Sequence, residues 1–244
     1  LDAGFQVWIE WIHRTLAAVI GVLILGMAGL AFLDHRDRRA ILLPSIAAVL
    51  LVGFQAWLGR ETVRLGNTGE SVTAHLAAAM ALVGLLVYLL VRASYPARLA
   101  GGGSQRFTLL ASFAAAATFA LLLFGSNVTA RDAGLVFPDW PLMNGSLLPA
   151  APDGRADLAE LYGTHALHRY VAAVVFVILA AVTWVAWRAR AANPRVARLA
   201  IAVLAVYAVQ VVVGAFQIAF QLAPWTQTLH VALGALVWGG TVAL

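Results

Sequence analysis

Seven long apolar runs, separated by short polar segments, dominate the sequence. They lie at about 7–33, 41–59, 72–92, 106–127, 161–188, 197–220 and 226–244. Runs of about 20 apolar residues are long enough to cross a bilayer as helices. The strict apolar–polar alternation that is typical of a membrane β-barrel does not occur in them. The pattern therefore predicts an all-α polytopic membrane protein with seven visible helices.

The composition agrees with a membrane protein and excludes several other classes. Hydrophobic residues make up 62% of the chain and charged residues 11%, against about 25% charged residues in an average soluble domain. These values exclude a disordered chain, a nucleic-acid-binding arm and an ordinary soluble enzyme. The sequence contains no Cys, which excludes disulfides, thiolate metal sites and iron–sulfur clusters within this chain.

The basic residues sort the predicted loops onto two sides of the membrane. All 16 basic residues are Arg, and three alternate connections are rich in them: 34–39, 92–106 and 188–198. The other connections have balanced charge or, over 128–160, an acidic excess. Basic loops remain cytoplasmic. We therefore expect residue 1 outside and residue 244 inside a bacterial cell membrane, and no nucleic-acid partner.

Four histidines reveal an internal repeat. His13 and His75 are 62 residues apart, as are His168 and His230, and the second pair follows the first at an offset of 155. The same offset aligns further residue pairs: Arg14 with Arg169, Gln55 with Gln210, Gly59 with Gly214, Thr73 with Thr228 and Gly84 with Gly239. We predict two tandem pseudo-symmetric helical bundles, over 1–100 and 101–244. The second half shows four helices and the first three, so we expect an eighth, N-terminal helix to be missing from this chain.

Each histidine pair places two imidazoles at equal depth on different helices, near the predicted outer face. A haem iron fits this arrangement, because it takes one axial ligand on each face and its apolar macrocycle lies between helices. Zinc usually takes three or four ligands. The alternative for any single intramembrane His is a hydrogen bond between helices. We predict His13, His75, His168 and His230 as haem ligands and His165 as a further candidate, whereas His35 lies among loop charges.

Charged neighbours of these histidines are candidates for the same sites. Arg14 and Arg169 directly follow a paired His and could bind haem propionates; the alternative is snorkelling to the headgroups. Glu10 lies three residues before His13, on the same helical face, and its counterpart at offset 155 is His165. Its carboxylate could relay protons or stabilise positive charge; the alternative is a first-turn carboxylate paired with Arg14. On the functional interpretation, the first half is the reactive site and the second holds a structural or electron-transferring haem.

Several motifs of the chain together resemble the haem A synthase family, membrane enzymes that convert haem O to haem A for cytochrome oxidase. The resemblance covers nearly the whole chain. Its most specific parts are the Glu-x-x-His-Arg start and the Pro-Asp-Trp-Pro-Leu loop. The motifs lie at 10–14, 58–63, 72–76, 134–145, 167–169 and 229–230.

The resemblance implies a fold, a reaction and a set of sites. Family members have eight helices in two four-helix halves. They oxidise a ring methyl of haem O to the aldehyde of haem A by successive hydroxylation. It implies that His13 and His75 bind the substrate haem, that Glu10 is the catalytic carboxylate, and that His168 and His230 hold a haem b. Phe137 and Met143 stand where many bacterial members carry a Cys pair, so the resemblance does not extend to a thiol pair in this loop.

Two other functions remain open from the sequence. One is a two-haem b-type electron carrier without substrate chemistry, and the other is a transporter or assembly factor whose histidines bind no iron. All four histidines lie on one side, which argues against electron transfer across the membrane. We expect membrane lipid and the haem substrate as partners. Haem O synthase, an electron acceptor and further copies of the chain are candidate partners.

Overall fold

A computed structural model describes residues 3–95, 104–150 and 155–244 of the chain. The described part contains seven α-helices and a short 3-10 helix at Ala133–Leu135. Each predicted apolar run corresponds to one helix, so the predicted all-α fold is confirmed; the predicted boundary at residue 100 lies outside the described residues. The helices are α1 (Ala3–Asp34), α2 (Arg39–Arg64), α3 (Gly69–Ser94), α4 (Gln105–Ala130), α5 (Ala156–Arg188), α6 (Pro194–Ala219) and α7 (Pro224–Val242).

Some helices extend beyond the apolar runs that predicted them. Helix α2 continues to Arg64 instead of ending at 59, and α5 begins at Ala156 instead of 161. Hydropathy marks only the part of a helix that lies in hydrocarbon, whereas the helix itself can continue into water. In α2 the added turn is polar, and Arg64 pairs with Glu61 at 3.3 Å, the i,i+3 spacing that supports a helix surface.

Six of the described helices are long and apolar enough to span a membrane, namely α1 to α6. Helix α7 has 19 residues, and its first turns carry Thr226, Gln227, Thr228 and His230. Because of this polar start, the apolar part of α7 is shorter than a membrane crossing needs. Seven crossings were predicted, and α7 is the predicted one that does not reach the required apolar length. With six such helices the chain is an integral membrane protein.

Each helix packs against the next helix along the chain, and consecutive helices that cross a membrane run in opposite directions. The end of the molecule at which α1, α3, α5 and α7 begin is called the upper end here, and the opposite end the lower end. The buried apolar residues form two main clusters within the described helices. One joins α1, α2 and α3 around Ile24, Ala48 and Leu82. The other joins α4 to α7 around Leu179 and Val237.

Trp238 of α7 connects these two bundles. Its indole Nε1 donates a hydrogen bond of 2.7 Å to the Met80 carbonyl of α3, and its ring lies 5.1 Å from that of Phe119 in α4. Gly84 of α3 leaves the space that the indole fills, because a Cβ at Gly84 would lie 2.7 Å from the ring. The upper ends of α3 and α4 are joined by a 2.7 Å hydrogen bond between Thr73 and Ser126.

Candidate functional site

The four paired histidines all lie in the upper halves of α1, α3, α5 and α7. The His13 side chain is exposed, and those of His75, His168 and His230 are half-buried. The two members of each predicted pair therefore lie on separate helices at the same end of the molecule.

A glycine on a neighbouring helix adjoins three of the four imidazole rings. A Cβ at Gly59 would lie 2.8 Å from Cε1 of His75, one at Gly214 would lie 3.1 Å from Cε1 of His230, and one at Gly125 would lie 3.2 Å from Cε1 of His168. Any larger residue at these positions would displace the ring beside it. A glycine on each of the helices α2, α4 and α6 thus leaves the space that an imidazole ring occupies.

The same contacts recur in both halves. Gly59 with His75 and Gly214 with His230 are the same pair of positions at offset 155. Gln55, one turn before Gly59, donates from Nε2 to the His75 carbonyl at 3.0 Å. The Oε1 atoms of Gln55 and of its counterpart Gln210 are both buried without a hydrogen-bond partner. The repeat seen in the sequence is therefore also a repeat of side-chain surroundings.

The donor set suits the two axial positions of a haem iron in each half. In the part of the chain that the structure describes, no group of three or more His, Asp or Glu side chains converges as a metal site, as zinc would usually need. Nδ1 of His75, His168 and His230 is buried without a hydrogen-bond partner. Buried polar atoms without partners are rare in native proteins and often mark functional groups. The residues present therefore fit one haem in each half.

Glu10 and Arg14 form an ion pair on the exposed surface of α1. Arg14 Nη2 donates to Glu10 Oε1 at 2.5 Å. This is the pairing anticipated as the alternative to a role at the haem. The helix-dipole part of that alternative is wrong, because α1 begins at Ala3 and has no acidic residue in its first turn. An exposed pair at i,i+4 contributes only about 0.3–0.5 kcal/mol, so it holds the carboxylate near His13 only loosely.

Arg169 is anchored in the loop before α5. Its Nη1 donates to the carbonyls of Asp139 at 3.0 Å and Leu142 at 2.9 Å, and its Nε donates to Nε2 of the buried His165 at 3.1 Å. The guanidinium also lies 5.4 Å from the centre of the Phe137 ring. Only Nη2 is buried without a partner. Snorkelling to the headgroups is therefore wrong for Arg169, and His165 serves as its hydrogen-bond acceptor.

The loop segment 136–147, called the docked loop here, packs on the upper part of α5. The two carboxylate oxygens of Asp139 accept backbone N–H bonds from Gly145 and Asn144, each at 2.7 Å. The hydrogen bond from Gly145, with that from Asn144, holds the pKa of Asp139 below its usual value. Phe137 and Met143 are buried together against Ala166 of α5. The loop is therefore closed by an apolar contact and a carboxylate cap.

Two features of the second site were not predicted. Gly125 is one of them, since its counterpart at offset 155 would precede residue 1, and the repeat could not reveal it. Tyr207 is the other. Its hydroxyl donates to the Ala172 carbonyl, one turn after His168, at 2.7 Å, and its counterpart in the first half is Val52. The sequence did contain a signal for Tyr207, because it is a polar residue in an otherwise apolar part of α6.

Comparison with known proteins gives a consistent result. A family model described as cytochrome oxidase assembly protein matches residues 2–242. The chain is 35% identical over 185 residues to a haem A synthase of Caulobacter sp. (strain K31), covering 69% of this chain and 53% of the relative. It is 27% identical over 177 residues to a haem A synthase of Alkalihalophilus pseudofirmus, covering 71% and 57%. The chain thus spans about half the length of the curated relatives it matches.

Proposed function

Since the chain belongs to the family of cytochrome oxidase assembly proteins, we propose that it is a membrane oxidoreductase of haem A biosynthesis, which oxidises a ring methyl of haem O to the aldehyde of haem A. Its similarity to proteins named haem A synthase supports this reaction. The observation that carries the proposal is the twofold occurrence of two imidazoles on separate helices at one end of the molecule. Such an arrangement suits two haem groups, one as substrate and one as cofactor.

The first half is the proposed substrate site, with His13 and His75 as axial ligands of the substrate haem. This half carries the Glu10 carboxylate close to one of the two imidazoles, whereas the corresponding position of the second half is His165. Gln55 and Gly59 fix the position of His75 on α3.

Glu10 is the proposed catalytic residue of this half. It lies almost one turn before His13, so its carboxylate faces the same side of α1. In this position it can accept a proton released during oxidation of the methyl group or stabilise positive charge that develops there. Arg14 holds the carboxylate by the 2.5 Å hydrogen bond and can also bind a haem propionate, because an Arg has donors for more than one oxygen.

The second half is the proposed site of a resident haem b, with His168 and His230 as its ligands. A haem b held there supplies one-electron redox chemistry. The docked loop supports a retained cofactor, since it contacts Ala166, Arg169 and Tyr170, which lie within two residues of His168 on α5. The buried, unpartnered Nη2 of Arg169 is the proposed donor to a propionate.

We also propose that the lower end of the molecule faces the cytoplasm and that the haem sites lie toward the outside. The Arg-rich segments 34–39, 92–106 and 188–198 all connect helices at the lower end. Basic loops stay on the cytoplasmic side. Substrate therefore reaches the first half from the outer leaflet or from a partner in the membrane, such as a haem O synthase.

Pigment analysis tests the reaction. The protein, in its full-length form, is produced together with a haem O synthase, and the extracted haems are separated by chromatography. Haem A should appear, and Glu10→Ala should abolish it while haem b is retained. Glu61→Ala is the matched control, because Glu61 also pairs with an Arg on its own helix yet lies outside the proposed site.

The remaining outcomes identify the competing functions. Bound haem b without haem A, alongside an active positive control, would indicate a two-haem electron carrier. A purified protein without a Soret band would indicate a transporter or assembly factor. His168→Ala should remove the resident haem b, whereas His35→Ala should leave the Soret intensity unchanged; an unchanged Soret band in His168→Ala would refute the assignment of the second site.

A further inference from the structure

Among the residues that the structure describes, the arginines of the lower end form no ion pair with a carboxylate. The ion pairs found there, Glu10–Arg14, Glu61–Arg64 and Glu160–Arg131, all lie toward the upper end. Asp34 and Asp37 accompany the arginines of the first lower connection, but the segments 92–106 and 188–198 carry seven Arg and neither Asp nor Glu. No carboxylate within these two segments balances their positive charge, which can therefore attract an anionic ligand.

Two of these arginines lie beside Tyr95, at the boundary between the halves. Arg195 is in the first turn of α6 in the second half, and its guanidinium carbon lies 5.9 Å from the centre of the Tyr95 ring, directly after α3 in the first half. Arg92 lies one turn before Tyr95 on α3. Its Nε is buried without a hydrogen-bond partner, while the residue as a whole is only half-buried. Tyr95 is therefore next to both arginines, to Arg195 by the contact of its ring and to Arg92 by one turn of α3.

Aromatic residues at the lower end of the molecule indicate where in the membrane this end lies. Trp184 and Trp187 on the last turns of α5 have 61% and 45% of their surface exposed. Arg188 and Arg190 stack on them at 6.0 and 4.4 Å. Exposed Trp and Tyr residues at helix ends are typical of the headgroup level of a bilayer. At that level the abundant anion is the phosphate of a phospholipid.

We propose that Arg92 and Arg195 bind the headgroup phosphate of an anionic phospholipid at the lower end of the boundary between the two halves. Guanidinium groups hold phosphate oxygens by paired, charge-assisted hydrogen bonds, and basic sites between membrane helices are known to take such lipids. The Tyr95 ring holds Arg195 in place, and the buried Nε of Arg92 acquires an acceptor. The lipid would join α3 to α6 and so support the contact between the halves. This inference does not depend on the proposed reaction.

Thermal unfolding in defined lipid tests the site. The purified full chain is unfolded in nanodiscs of phosphatidylcholine alone and of phosphatidylcholine with phosphatidylglycerol. A lipid that binds only the folded state raises the midpoint, so phosphatidylglycerol should raise it by several degrees. The double variant Arg92→Gln/Arg195→Gln should lose at least half of that increase. Arg36→Gln/Arg39→Gln is the matched control, because it removes the same charge at the lower end, beside Asp34 and Asp37.

Three results would overturn the proposal. One is an undiminished increase in the Arg92→Gln/Arg195→Gln protein, and another is an equal loss in the control, which would indicate general charge attraction. The third is the same increase with inorganic phosphate in phosphatidylcholine discs, which would indicate a site for free phosphate. If the glutamine variant does not fold, Arg92→Lys/Arg195→Lys replaces it. That variant keeps the charge but loses the paired geometry, and should show a smaller increase than the wild type; an equal one would refute the site.

Discussion

At the scale of single residues, glycines, which have no side chain, shape the site. His75, His168 and His230 each rest against a glycine of the preceding helix, which fixes how near the imidazole comes to that helix. An imidazole ring fixed in this way points its free nitrogen in one direction. A ligand that is bound by two imidazole rings needs both nitrogens to point at it. The glycines are therefore as much a part of the site as the histidines.

Replacing Gly59 by alanine tests this. The new Cβ would lie 2.8 Å from His75 Cε1, so the ring must move, and haem should bind the first half about tenfold more weakly, which corresponds to about 1.4 kcal/mol. Spectroscopic titration with haem measures the affinity. Gly53→Ala in the same helix is the control, because Gly53 faces open space; equal affinities of the two variants would show that the glycine does not position the ring.

The sequence offers a prediction for the histidines of the site but little about their surroundings. Equal spacing within two pairs predicts the grouping of His13 with His75 and of His168 with His230, and the structure places all four in the upper halves of their helices. Arg169 could not be understood in the same way. Its partners are backbone carbonyls of a loop that is distant in the chain, and only the folded loop brings them to α5.

At the scale of elements, the docked loop is attached to the second half by contacts of three kinds. It is held by the Asp139 cap, by the buried Phe137 and Met143, and by Arg169 of α5. At offset 155 the counterpart of this loop would precede residue 1, so the repeat could not predict these contacts. They become visible only in the structure.

Acidification should release the docked loop. Because the folded pKa of Asp139 is depressed by N–H bonds from Gly145 and Asn144, the carboxylate stabilises the loop above its unfolded pKa of about 3.9. That stabilisation is lost as the pH falls through the lower, folded value. Because the 244 residues contain no Cys, Leu148→Cys introduces a single site for a spin label at an exposed position. Its mobility should rise below about pH 4.

Asp139→Asn should raise the label's mobility already at neutral pH, since an amide can accept only one of the two N–H bonds. Asp132→Asn, which lies in the same connection but outside the cap, is the control. A label that stays immobile in the Asp139 variant would show that the apolar contact alone holds the loop.

Helix existence followed from the sequence, whereas helix length did not. Apolar runs predicted seven helices correctly, since burial in lipid requires both apolar side chains and internally bonded backbone. The turns at the ends of α2 and the start of α5 are charged, and their stability comes from pairs such as Glu61 with Arg64 or Glu160 with Arg131. A hydropathy pattern contains no information about those pairs.

At the scale of the whole molecule, Trp238 couples the two bundles. Its counterpart at offset 155 is Val83, so this contact has no copy on the other side of the pseudo-symmetry. The repeat therefore predicted two similar bundles but not the contact that joins them. A contact that only one of the two halves makes cannot be predicted from the repeat.

Trp238→Phe should weaken that connection. Phenylalanine keeps an aromatic ring near Phe119 but loses the 2.7 Å hydrogen bond to the Met80 carbonyl, at a cost of about 1 kcal/mol. The thermal midpoint of the detergent-solubilised protein should fall accordingly. Trp184→Phe, at an exposed position of α5, should leave the midpoint nearly unchanged, and equal midpoints for wild type and Trp238→Phe would contradict a connecting role.

The attachment of the docked loop to Arg169 has one more consequence. Arg169 directly follows His168 on α5, so whatever binds between His168 and His230 and whatever seats the loop stabilise the same turn of helix. Such coupling is reciprocal. A protease that cuts within 136–147 should therefore digest pigment-depleted preparations faster than fully loaded ones, and the cleavage rate would serve as a gauge of cofactor content that needs no spectrum.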